Sequence, residues 1–124
     1  MLEVGLENIK EYVVKESDSA FNLGSGDLLV LSTPILIAFF ENTAKDLINK
    51  YLDEESSTVG ININVDHLAP SKIGTTIKVI SRISDINKRI ISFELEAFDN
   101  DTLIGKGTHK RCIINKEKFL SKIK

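Results

Sequence analysis

The spacing of apolar residues changes period once along this chain. In "STPILIAFFENTAKDLI" they recur three and four apart, and Leu36, Ile37, Phe40, Ala44, Leu47, Ile48 and Tyr51 share one stripe at helical geometry. Ser32 or Thr33 suits the cap before this helix, and Pro34 suits its first position, where a missing N–H costs no hydrogen bond. The stripe predicts a helix running to about Leu52. After "DEESST" the period falls to two. Val59, Ile61, Ile63 and Val65 alternate with Gly60, Asn62, Asn64 and Asp66, which predicts a strand with its odd-numbered residues inward, ending near Pro70. "TTIKVISRIS" and "RIISFELEAF" alternate likewise around a polar turn at Asp85, Asn87 and Lys88, and predict an antiparallel hairpin. "LIGKGTHKRCIIN" predicts a further strand and "KEKFLSKIK" a short terminal helix. Ahead of the long helix, "KEYVVKES" reads as either a first strand or an amphipathic turn, and "FNLGSGDLLVLST" as a loop marked by Gly24 and Gly26.

These elements belong to the α+β class. A helix of about 18 residues is roughly 27 Å long and lies along strands of similar length. Five strands at roughly 4.8 Å spacing make a sheet about 24 Å wide, whereas one helix covers only about 10 Å. The sheet must curl around the helix, or a second subunit must cover the remainder. A homodimer, or a higher oligomer built from it, is the expectation. No repeat or linker divides the chain, so residues 1–124 read as one domain.

Composition removes several function classes. Sixteen Lys and Arg against eighteen Asp and Glu leave a net charge of -2, which is no electrostatic footprint for nucleic acid or an anionic membrane. The longest apolar run, Pro34 to Phe40, falls far short of the roughly 20 residues that cross a bilayer. The single Cys112 excludes an internal disulfide and reads as a core residue or a reactive thiol. "MLEVGLENIKEYVVKES" carries charges where a secretory signal needs an apolar stretch, so the expected location is cytoplasmic. No HExxH, CxxC or glycine-rich phosphate loop occurs, and neither a metal nor a bound cofactor is expected.

One residue breaks the helical pattern. Glu41 lies at the border of the apolar stripe beside Ile37 and Ile48, although Asn42, Lys45, Asp46 and Asn49 give the helix a polar side. A carboxylate there needs a partner or a cavity, because burying it alone costs several kcal/mol. If the alternation of "VGININVDHLAP" holds, His67 points to the same inner face as Ile63 and Val65 and shares a pocket with Glu41. Plainer readings fit the same residues: Glu41 as a salt-bridged edge carboxylate, His67 as a strand-end histidine and Thr33 as a cap. Gly60 then marks a close backbone approach, and Arg111 a surface ion pair.

Three segments carry a resemblance: "STPILIAFFENTA", "VGININVDHLAP" and "IGKGTHKRCIINKEKF". With them the chain, from about residue 5 to 120, resembles the fluoroacetyl-CoA thioesterase-like family of hotdog-fold thioesterases. The resemblance implies a hotdog fold, an antiparallel sheet wrapped on one long helix, with an active site at a dimer interface. It implies an acyl-CoA substrate, CoA being part of the substrate rather than a cofactor. Carried over by position, it makes Thr33, Glu41 and His67 catalytic and sets Gly60 at the acyl or carbonyl site. Arg111 becomes a substrate-contacting or structural residue. Gly24, Ser25, Gly26 and Asp27 stand where the fluoroacetyl-specific member carries aromatic lid residues, so the resemblance supports thioester hydrolysis without fluoroacetate specificity. Gly105 and Gly107 would leave room for a pantetheine arm, and Lys72, Lys106, Lys110 and Arg111 would be candidate contacts for CoA phosphates. A non-catalytic acyl-CoA or small-ligand binding protein and a hotdog enoyl-CoA hydratase are the rival functions.

Overall fold

A computed structural model of the chain describes residues 1–123. Its strands are β1 (Glu7–Val13), β2 (Ser56–His67), β3 (Thr76–Asn87), β4 (Ile90–Asp99) and β5 (Thr102–Asn115). Its helices are α1 (Ala20–Leu23), α2 (Thr33–Asn49) and α3 (Lys116–Leu120). All strand pairs are antiparallel and the sheet order is β1-β3-β4-β5-β2, so the β2 and β1 edges are open.

The helix begins as its sequence dictates. The Ser32 hydroxyl accepts from the Ile35 N–H, and proline sits in the first turn. Leu36, Phe40, Ala44, Leu47 and Ile48 are buried against Ile77, Val79 and Ile83 of β3, Ile91, Phe93, Leu95 and Ala97 of β4, and Ile104 of β5. Each Leu, Ile, Val or Phe side chain among them contributes about 1.5–3 kcal/mol when removed from water. Tyr51 does not complete the stripe; it follows the helix, which ends at Asn49, and is exposed. β1 resolves the ambiguity of "KEYVVKES" as a strand lying over the side of α2 that looked polar. There Tyr12 stacks on Phe39 with ring centroids 4.3 Å apart, and Lys10 bonds Asn42 and Asp46. Part of the expected loop is the single-turn α1, which closes at Gly24 with φ of +83°.

Two features of β2 and β5 depart from simple alternation. The register of β2 slips between Gly60 and Asn62. On one side of the slip Thr58 and Gly60 face inward; on the other, Ile63, Val65 and His67 do. Val59 and Ile61 therefore leave the inner face, and Ile61 is half exposed. The strand ends at His67, short of Pro70. The glycines of β5 are places of close approach. A Cβ on Gly105 would lie 2.8 Å from the Leu36 side chain, and one on Gly107 would run into the Asn64 carbonyl. Their smallness lets α2 and β2 approach β5, and Gly107 also lines an open cleft of about 450 Å³ with Asn64, Glu94, Lys106 and Thr108.

Candidate active site

The sequence-predicted residues assemble at two stations along α2. At the helix start, Thr33 Oγ1 lies 2.8 Å from His67 Nδ1, at the end of β2. Thr33 is the first helical residue rather than the cap, so its hydroxyl is free to turn outward while Ser32 does the capping. Both residues line an open cleft of about 350 Å³ with Ala20, Ser25, Leu68 and Pro70. His67 Nε2 is buried and has no hydrogen-bond partner among the described residues. Burial pulls His67 below the usual imidazole value of 6.5, opposed by the Ala69 backbone, so the neutral ring is favoured.

Two turns along the helix, the Glu41 carboxylate stands over Gly60. A Cβ on Gly60 would lie 2.9 Å from Glu41 Oε2, 3.3 Å from His109 and 3.4 Å from Arg111. Only glycine leaves that corner open, and it lines a cavity of about 260 Å³ with Glu41, Asn62, Ile63 and His109. Arg111 is buried, not the surface cation of the plainer reading, and its Nη1 lies 3.9 Å from Glu41 Oε2. Its Nε donates to Thr58 Oγ1 at 2.8 Å and its Nη2 to the Thr58 carbonyl at 3.1 Å. Nη1 also donates to His109 Nε2 at 3.2 Å.

Glu41 and His67 are thus brought to the same face but not together within one chain. Eight residues of helix separate Thr33 from Glu41, about 12 Å of rise. Both side chains follow their own neighbours, Thr33 to His67 and Glu41 to Gly60, Arg111 and His109. The sequence reading missed His109 as a member of the second station. It is fully buried, and its chief partner is a backbone carbonyl of another strand, which no sequence spacing displays. Lys72, Lys106 and Lys110 are exposed, and none reaches either station. Cys112 is part-buried and stands outside both. Among the described residues no group of three or more His, Cys, Asp or Glu is placed to hold a metal, and no helix is long and apolar enough to cross a membrane.

The paired hydroxyl and imidazole can move a proton, and the carboxylate over glycine can serve as base or nucleophile. Comparison with known proteins gives that chemistry a context. The family model for fluoroacetyl-CoA-specific thioesterase matches residues 14–117. The fluoroacetyl-CoA thioesterase of Streptantibioticus cattleyicolor is 30% identical over 95 residues, which is 77% of this chain and 68% of that protein. A structure of the fluoroacetyl-CoA thioesterase FlK superposes with a TM-score of 0.93 at 26% identity, covering 99% of this chain and 96% of that one. A mutant of the same enzyme in complex with fluoroacetate and CoA gives 0.88 at 26% identity, over 95% and 99%. A Thermus thermophilus thioesterase superfamily member gives 0.88 at 23% identity, over 96% and 88%, which speaks to the hotdog fold alone.

Proposed function

Because the chain belongs to the fluoroacetyl-CoA-specific thioesterase family and is a thioester hydrolase, we propose that it cleaves a small acyl-CoA to free acid and CoA with Thr33, Glu41 and His67. The observation that carries this reading is the 2.8 Å Thr33–His67 bond at the mouth of an open cleft on the face that also carries Glu41. Water oxygen bonds to the carbonyl carbon as its proton passes to Glu41 or to the neutral His67 ring, the C–S bond breaks, and the sulfur leaves as thiolate or takes that proton back from the His67 imidazolium. Glu41 either removes the water proton or adds to the carbonyl first and is then released by water; both routes need its carboxylate over Gly60. The Thr33 N–H, which opens α2 ahead of Pro34, and the N–H at Gly60 are the donors for the developing oxyanion. Arg111 serves as a structural anchor for Glu41 rather than as a phosphate contact, since its guanidinium is already bonded on three sides.

The two stations join across a homodimer. β2, a 12-residue strand, pairs among the described residues with β5 alone, so the N–H and C=O groups of its alternate residues are free along the other edge. A two-fold axis near Asn64 would pair two copies of this strand antiparallel, setting Ile63 opposite the partner's Val65. The next inward-facing pair, across the slip at Ile61, is then Gly60 opposite the partner's His67. Glu41 of one subunit thereby meets Thr33 and His67 of the other.

The test is a panel of acetyl-, propionyl- and butyryl-CoA, followed by free-thiol release and by binding, with Glu41→Ala alongside. Wild type should release thiol, and Glu41→Ala should lose ~100-fold or more in kcat. Binding without thiol release would establish the rival binding protein, and with crotonyl-CoA added to the panel a loss of its enoyl absorbance with the thioester intact would establish the hydratase. Light scattering at micromolar concentration should give the mass of two chains; a monomer that still turns over would dismantle the shared site.

A further inference from the structure

His109 is a buried polar group at the second station that the reaction just described does not use. It lies on the inner face of β5, 1% exposed, between Phe93 of β4 and the slipped segment of β2. Its two ring nitrogens are both engaged, and their partners fix its state. Nδ1 is 2.7 Å from the Asn62 carbonyl, which can only accept, so Nδ1 carries the proton. Nε2 is 3.2 Å from Arg111 Nη1, which can only donate, so Nε2 is bare. A neutral ring in a single tautomer therefore spans from the backbone next to the slip to the cation beside Glu41. The Arg111 guanidinium is held at Nε and Nη2 by Thr58, and the imidazole supplies the third restraint, on the nitrogen that faces the carboxylate.

We infer that His109 is a positioning residue for the hydrolysis: its Nδ1–H tautomer braces the backbone after Gly60, and its bare Nε2 holds Arg111 Nη1 back, 3.9 Å from the Glu41 carboxylate. Without it, Nη1 loses its neutral acceptor and swings toward the carboxylate, and the Asn62 carbonyl loses its donor. Glu41 then closes into a direct ion pair and is less available to substrate. This rests on the reading of Glu41 as the catalytic carboxylate.

Two variants of similar shape separate bonding from filling. His109→Gln keeps an N–H for Asn62 and a carbonyl for Arg111, and His109→Met keeps neither. With the panel thioester that the wild type cleaves fastest, Met should lower kcat about tenfold or more with KM within about twofold, and Gln should recover most of the loss. Placed in a Glu41→Gln background, the Met substitution should lower kcat no further, because the group it positions is gone. Equal losses in Gln and Met, an unchanged kcat in Met, or a full additional loss in the double variant would each overturn the inference. Wild-type kcat in Glu41→Gln alone would bring down the catalytic reading and this inference with it, a result distinct from any His109 outcome. Imidazole ¹⁵N NMR of the wild type needs no variant to fold: the proton should sit on Nδ1 with Nε2 bare at neutral pH, and an imidazolium or an Nε2–H ring would overturn the assignment.

Discussion

The two histidines of this chain share the inner face of one sheet and are treated in opposite ways. His109 has a donor contact at one nitrogen and an acceptor contact at the other, and is itself buried in the wall of the smaller cavity. His67 has one side-chain partner, Thr33 on Nδ1, beside an open cleft, with the Ala69 backbone nearby and no hydrogen bond at Nε2 among the described residues. A ring bonded at both ends is a strut: changing its protonation breaks one of two good bonds. A ring bonded at one end to a rotatable hydroxyl can accept or release a proton with little rearrangement. The fold thus assigns fixing to one imidazole and leaves proton transfer to the other.

The sharpest way to break this contrast is to remove His67. His67→Ala should reduce kcat ~100-fold or more, the usual scale for losing a positioned acid or base, while the melting temperature moves by only a few degrees. Steady-state thiol release and thermal melts check both halves. A large fall in stability with modest loss of kcat would make His67 the strut. Next in size is its hydroxyl partner. Thr33→Val removes the 2.8 Å bond but keeps the side-chain shape, and should lower kcat about tenfold, whereas Thr33→Ser should stay within about threefold of wild type. Equal activity in Val and Ser would show that the hydroxyl plays no part.

The sequence displays the frame well and the second station poorly, for one physical reason. Ser32, Pro34 and the stripe from Leu36 to Ile48 are local signals, and the helix follows them. The hairpin of β3 and β4 is likewise written in two alternating runs and a turn. Thr33 and His67 face one another because Thr33 opens α2, a start the sequence marks, and His67 closes β2 a few residues before the Pro70 at which the sequence placed its end. The slip at Ile61 is invisible beforehand, since Val59, Ile61, Ile63 and Val65 are all apolar and a perfect alternation looks the same. Arg111 reads as a surface cation because its anchors, Thr58 and His109, come from a different strand and from two residues away on its own. Glu41 is conspicuous as a charge on the apolar border, but the glycine that makes room for it becomes meaningful only when β2 lies beneath the helix.

The smallest effect is also the most direct comparison of the two rings, their pull on stability as pH falls. Burial pulls both below the usual value of 6.5, and the neighbouring Arg111 adds to the effect at His109, with the Asn62 carbonyl and Glu41 opposing it. The unfolded chain then binds more protons than the folded one from about pH 6.5 downward, so unfolding free energy falls as pH drops through that window and is unaffected above it. The charged and titratable groups at His109 are Arg111 on its own strand and Glu41 on α2; β4 presents the apolar Phe93. Protonating His109 therefore sets two cations together in a buried corner, whereas His67 has only the Thr33 hydroxyl and backbone around it. Urea midpoints measured between pH 7.5 and 5 should decline in wild type, and should decline less in His109→Gln than in His67→Gln. A steeper flattening in His67→Gln would reverse the assignment of strut and proton carrier, because the ring that resists protonation most must be the one whose neighbours are already fixed.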